Sequence, residues 1–291
     1  MQLIELCEKG GFRLCKVTSN SPEILSAIPE TERAKKGESD NSFIEHSLGV
    51  KLKALEDNFI FLTTDLQSRP DPNTSRQCLS LIASVFDPMC FLGPNCIKAK
   101  KALQVIIALK YGWDVKVPED LLQPILQWKK KLHLLENIKI RRCFKPDFGI
   151  EPIEIQIHGF PDANFEVYGG PLYWRFEFPN GFYVSFIAGK CLVTPYKPIT
   201  IPRLQLTAAR TIVRLLNKIR EETNYKIDKV FLWSDSQTVL RKLANSTTRF
   251  RIFDENRINE ILASTDLSEW DYIRSELNPG DLTRGIEADD T

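Results

Sequence analysis

"KVFLWSDSQTVLRKL", residues 229–243, changes its period half-way. Val230 and Leu232 alternate with Phe231 and Trp233, the two-residue rhythm of a strand. From Gln237 the apolar residues recur at helical spacing instead. At the junction stands Asp235, a carboxylate closing an apolar run, where desolvation disfavours charge. The stretch reads as a strand that ends on an acid and passes into a helix.

The same alternation extends upstream. In "IEIQIHGF" (residues 153–160), Ile153, Ile155 and Ile157 share one face and Glu154, Gln156 and His158 the other. "EVYGGPLYWRFEF" and "GFYVSFIAGKCLV" read as two further strands joined by a tight "PNG" turn at residues 179–181. A long helix follows, "PRLQLTAARTIVRLLNKIREE", with Pro202 in its first turn. Beyond Asp235 come a short helix, a helix near "FDENRINEILA", a last strand "WDYIRS" and an "NPGDLTRG" turn. The order β-β-β-α-β-α-α-β predicts an α/β (α+β) domain over 149–291: a mixed five-stranded sheet with flanking helices.

In such a sheet the first and fourth strands are parallel neighbours, so their C-terminal ends lie together. Asp162 and Asp235 then stand side by side, near Gln205 in the first turn of the long helix and Asp281 in the last turn. Paired carboxylates repel unless a cation lies between them. Mg²⁺ binds through a few carboxylates and substrate phosphates, and two such ions can clamp an in-line phosphoryl displacement. Each residue also has an ordinary reading. Asp235 before Ser-Gln suits a helix N-cap, Asp162 suits a turn, and Asp281 after Pro-Gly suits a cap.

The earlier chain reads differently. Residues 1–74 are mixed α and β: "FRLCKV" (residues 12–17) alternates like a strand and "SPEILSAI" opens like a helix. "RAKKGESDNS" (residues 33–42) is a polar loop, and "LGVKLKALEDNFIFL" a hairpin turning at Glu56–Asn58. Residues 75–137 have a helical period, and the segment 75–148 closes in the Pro/Gly-rich boundary "KPDFGIEP". Near its end lies a basic run of Lys129, Lys130, Lys131, Lys139, Arg141, Arg142 and Lys145. It is either a phosphate-binding surface or a solvated face. Trp128 beside it suits the core better than a stacking platform, and His158 suits packing on the sheet surface better than a proton relay.

The 291 residues carry a net charge of +1, so any field that attracts nucleic acid must be local. Seven cysteines without CxxC spacing fit a reducing compartment. No apolar stretch approaches the roughly 18 residues of a membrane span, and the N-terminus has no signal-peptide core. These features fit a soluble cytoplasmic protein with possible nuclear access and no membrane partner.

"HGFPDANFEVYGG", "IPRLQLTAAR", "VFLWSDSQTVL", "FDENRINEI" and "ELNPGDLTRG" occur in this order. Together they resemble the ribonuclease H domain of BEL/Pao-type retrotransposon polyproteins. "GGFRLCKVTSNSPEIL", "LGVKL", "SLIASVFDPMCFLGP" and "KYGWDVKVPEDL" resemble the end of the preceding reverse transcriptase (1–74) and a helical thumb or connection (75–148). The resemblance implies a ribonuclease H-like site holding two Mg²⁺ or Mn²⁺ ions. Asp162 would bridge both ions, Asp235 would hold the ion on the leaving-group side and Asp281 the ion that activates water. The implied substrate is the RNA strand of an RNA–DNA hybrid, and the implied partner is the rest of a retroelement polyprotein.

The sequence departs from the family at one ligand. The helix motif is Pro-Arg-Leu-Glu-Leu in the family and "PRLQL" here, so Gln205 stands where a metal-ligand Glu is expected. A carboxamide offers one neutral oxygen and no charge, which implies weakened or lost hydrolysis. The alternative is a non-catalytic relic that binds nucleic acid or protein. No YxDD-type polymerase motif occurs. Although such segments also bear a peptidase name, the Asp-Thr/Ser-Gly loop of an aspartic peptidase is absent.

Overall fold

The computed structural model describes residues 2–33, 44–47, 50–146, 148–247 and 249–284. The expected polar loop beyond Arg33 lies outside them. The chain separates into two compact units, residues 1–69 with 130–143 and residues 70–129 with 144–291. The segment read as 75–148 is thus shared between the two.

The first unit holds helices α1 (Gln2–Lys9) and α2 (Pro22–Ser26), strands β1 (Ile44–Ser47), β2 (Val50–Lys53) and β3 (Asn58–Ile60), helix α3 (Thr64–Ser68), and strand β4 (Lys139–Arg141). Its four strands form one antiparallel sheet in the order β1-β2-β3-β4. Asp57 turns the β2–β3 hairpin with a φ of 52°, as the Glu-Asp-Asn cluster implied. Ser21 caps α2 and Pro22 opens it. "FRLCKV" is not a strand: Lys16 sits at φ 59°, which breaks the extended run, and Val17 makes only an isolated bridge to Arg33.

The second unit begins with α4 (Ser75–Ala83), α5 (Gly93–Ala108) and α6 (Glu119–Lys130). Then come β5 (Glu154–Gly159), β6 (Asp162–Ala163), β7 (Val167–Phe178), β8 (Gly181–Val193), α7 (Ile201–Glu222), β9 (Lys229–Ser234), α8 (Gln237–Leu243), α9 (Ile252–Leu262) and β10 (Trp270–Tyr272). The sheet is mixed. β7 pairs antiparallel with β8 on one edge and with β5 and β6 on the other. β9 runs parallel to both β5 and β10. β6 continues the line of β5: Gly159 faces Leu172 and Asp162 faces Gly169, three steps further along each strand. The six strands therefore occupy five positions.

The core lies where α7 crosses this sheet. Leu206, Ala209, Ile212, Val213 and Leu216 pack on Ile157, Leu172, Trp174, Phe176, Val230 and Leu232, all nearly or wholly buried. Burial of this kind contributes roughly 25 cal/mol per Å² of apolar surface. At the start of α7, Leu204 and Ala208 close on Ala163, which fixes the first helical turn against β6. On the other face, near β8, Ile97 of α5 packs with Val167, Cys191 and Val193.

Candidate functional site

β5 and β9 are parallel, with His158 opposite Phe231 and Gly159 opposite Leu232. Carried three residues on, this register sets Asp162 opposite Asp235 at the C-terminal ends of the two strand lines. Asp162 is 1% exposed and Asp235 half-buried. Asp235 is not a cap. Ser236 is the N-cap of α8, its Oγ accepting from the Val239 N–H at 3.4 Å. Asp235 instead accepts from Ser275 Oγ at 2.8 Å through Oδ2.

Asp281 lies in the short 3-10 turn Pro279–Arg284, which packs against β6 and β7. Asn278, 4% exposed, starts this turn by accepting the Gly280 N–H at 2.9 Å on Oδ1. Gly280 is required by close approach. A Cβ there would stand 2.5 Å from the Phe160 carbonyl oxygen and 3.0 Å from the Asp162 Cβ. Only a residue without a side chain lets the turn that carries Asp281 press against Asp162.

Gln205, 8% exposed, reaches the same point from α7. Its Nε2 donates to Asp162 Oδ1 at 3.0 Å and to the Ala163 carbonyl oxygen at 2.9 Å. Its Oε1 is buried and accepts no hydrogen bond among the described residues. The fold therefore brings Asp162, Gln205 and the Asp281 turn together, with Asp235 in register beside them.

A family profile described as "Pao retrotransposon-like RNaseH-like domain" matches residues 74–236, more than half of the chain. The chain belongs to this Pao retrotransposon-like RNase H-like family. The matched span includes Asp162, Gln205 and Asp235. No curated protein matches. Among solved structures, the foamy viral protease-reverse transcriptase dRH in complex with double-stranded DNA is 15% identical, with a TM-score of 0.48 over 80% of this chain. RNase H1 from the archaeon Halobacterium salinarum NRC-1 is 11% identical, covering 44% of this chain and 90% of its own, with a TM-score of 0.29. LC11-RNase H1 in complex with an RNA/DNA hybrid is 11% identical, covering 43% of this chain and 88% of its own, with a TM-score of 0.27. The chain spans 38% of the length of the foamy viral protein.

In this Pao-type RNase H-like domain the placed side chains do not fit the two-ion set that the resemblance implies. Among the described residues, no three His, Cys, Asp or Glu side chains gather closely enough to hold a metal ion. The donor chemistry agrees. The Gln205 carboxamide turns its N–H groups, not its oxygen, toward Asp162, and an N–H is repelled by a cation.

The basic run is divided between the two units, and several of its members are ion-paired. Lys129 is 6% exposed and pairs with Asp71 at 2.7 Å, within the second unit. The rest up to Arg142 belong to the first unit. There Lys139 pairs with Glu56 at 3.2 Å, and Arg142 grips Asp57 through two bonds of 2.6 and 3.1 Å. Lys130, Lys131 and Arg141 are exposed and make no ion pair among the described residues. Lys145 pairs with Glu151 at 2.7 Å. Trp128 is core, its indole N–H bonded to Asn95 at 3.0 Å.

A second excess of cations lies along α7 and the segment of α8 and α9. Residues 201–214 and 237–262 carry eight Lys or Arg against three acids, in a chain whose net charge is +1. Arg203 and Lys242 share Asp254 at 3.5 and 3.3 Å, and Arg214 and Arg210 share Glu260. Arg203 and Arg257 both lie over the Phe253 ring, at 5.0 and 3.4 Å from its centroid. Arg241, Arg249 and Arg251 are exposed. The residues in "PRLQLTAARTIVR" that signal this face are Arg203, Arg210 and Arg214, spaced seven and four apart along one side of the helix.

His158 packs on the open sheet face in a triangle of rings with Phe231 and Trp233, its centroid 5.0 and 6.2 Å from theirs. Its tautomer is fixed by its neighbours. The Trp233 indole only donates, so His158 Nδ1 accepts at 3.0 Å and Nε2 donates to Gln156 Oε1 at 2.9 Å. Burial, reinforced by Arg175, pushes its pKa down to about 4.

Proposed function

We propose that the chain binds an RNA–DNA hybrid through its RNase H-like unit and that cutting of the RNA strand is suppressed at Gln205. The observation that carries this reading is the pair of hydrogen bonds from Gln205 Nε2 to Asp162 and Ala163. They commit the one non-acidic member of the site to an internal role. The cation face on α7, α8 and α9 supports the binding half. Arg203 and Arg214 are separated by 16 Å or so along the helix axis, at about 1.5 Å per residue. That length matches roughly five steps of about 3.4 Å along one nucleic-acid strand.

Fluorescence anisotropy of a labelled hybrid at rising KCl tests the reading. Affinity should fall steeply with salt, and RNA cleavage in Mg²⁺ or Mn²⁺ should be slow. Salt-independent binding, or rapid cleavage by the wild-type chain, contradicts it.

A further inference from the structure

We propose that the Gln205 carboxamide is a built-in substitute for a cation at Asp162, so that this carboxylate is held without a divalent ion. The inference deepens the proposed function and rests on its assignment of Asp162 and Gln205 to one site.

The orientation of the amide is dictated by its surroundings. Asp162 Oδ1 and the Ala163 carbonyl oxygen are both acceptors, and both lie within 3.0 Å of the same Gln205 atom. Only the NH₂ end has two protons to give them. Turning the amide over would set Oε1 against two oxygens with no proton between them, a loss of both bonds plus an oxygen–oxygen repulsion. Asp162 and Gln205 are each more than nine-tenths buried, so water cannot readily compensate.

An N–H pointing at a carboxylate supplies the same electrostatic service as a cation, in weaker form. It stabilises the anion and satisfies a lone pair of Oδ1. Leu204 and Ala208, packed on Ala163, hold the helical turn at the distance that these bonds require. A carboxylate at position 205 would reverse the relation. Two buried anions would face each other about 3 Å apart, an arrangement that needs a proton or a cation. Gln205 thus removes the need for the ion as well as one of its ligands.

The test is thermal unfolding of the full chain, in chelator and in millimolar MgCl₂ at matched ionic strength. Wild type should melt at the same temperature in both. Gln205→Glu should melt lower in chelator and regain about 5 °C in Mg²⁺, the shift expected when the ion is present at about a hundred times its Kd. An equal Mg²⁺-dependent rise in wild type, or a Gln205→Glu variant as stable as wild type in chelator, overturns the proposal.

If Gln205→Glu does not fold, Mn²⁺ titration of the wild-type chain by NMR decides. The Gln205 side-chain NH₂ and Ala163 amide signals should stay sharp at low Mn²⁺, and their selective broadening would refute the proposal. Loss of hybrid binding with a metal-independent melting temperature would overturn the functional reading alone. Retained hybrid binding with Mg²⁺-dependent wild-type stability would overturn this one alone.

Discussion

Replacing Gln205 by Glu in the absence of metal should make the stability of the chain fall with rising pH. The introduced oxygen would stand where Nε2 now lies, 3.0 Å from Asp162 Oδ1. Two unit charges at that distance repel by about 5–6 kcal/mol at an effective dielectric constant of about 20. The fold can avoid this by keeping a proton on the introduced carboxyl, which then donates to Asp162 as the amide does. Holding that proton at pH 7 costs about 4 kcal/mol relative to a free Glu of pKa about 4.3, and at pH 5 about 1 kcal/mol. The lost bond to the Ala163 oxygen adds about 1 kcal/mol at either pH. The sign follows from linkage: the folded variant binds a proton that the unfolded chain has released, so stability drops as pH rises above about 4.3. Urea denaturation of variant and wild type in chelator from pH 5 to 8 would measure the difference. It should widen by about 3 kcal/mol between pH 5 and 7. A difference that is flat with pH would show that the residue-205 side chain does not face Asp162, and the site as described would be wrong.

Other perturbations follow from the same geometry. Gly280→Ala should destabilise by about 1–3 kcal/mol in chemical denaturation, because its Cβ has no room beside Phe160 and Asp162. His158, with its pKa lowered to about 4, binds fewer protons folded than unfolded. Wild-type stability should therefore fall as pH drops from about 6.5 toward 4, and His158→Gln, which can still accept from Trp233, should flatten that fall in a pH series of melting curves. The triple variant Arg203→Ala, Arg249→Ala, Arg251→Ala should reduce the slope of log affinity against log salt for a hybrid by as much as about 3. Lys129→Ala should leave hybrid binding unchanged in the same anisotropy assay, since this side chain is buried against Asp71.

Much of the second unit was legible in the chain because its signals are local and agree with one another. Ile157 alternates with His158, Val230 and Leu232 with Phe231, and Ala209, Ile212 and Leu216 form the stripe that meets them. Element order allowed the parallel pairing of β5 with β9, and that pairing sets Asp162 opposite Asp235. Three-dimensional packing decided the rest. "FRLCKV" alternates correctly, yet Lys16 takes a left-handed backbone, and among the described residues Val17 makes an isolated bridge to Arg33 in place of a strand pairing. β4 joins the first unit because Ile140 pairs with Phe59, a relation invisible to periodicity. The basic run looked continuous because the acids that neutralise it, Glu56, Asp57 and Asp71, are distant in sequence. At the site, spacing placed Gln205 near the acids. Which end of its amide faces Asp162 depends on the Ala163 carbonyl, and no sequence pattern records that.

The central claim is that Asp162, Asp235 and Asp281 form an RNase H-like site in which Gln205 occupies the place of an acid. Single-turnover cleavage of the RNA strand of a hybrid in Mg²⁺, wild type against Gln205→Glu, tests it most directly. The variant should cut at least about tenfold faster, a barrier lower by about 1.4 kcal/mol, and Asp162→Asn should abolish the gain. Equal rates for wild type and Gln205→Glu, or a gain that survives Asp162→Asn, would contradict it.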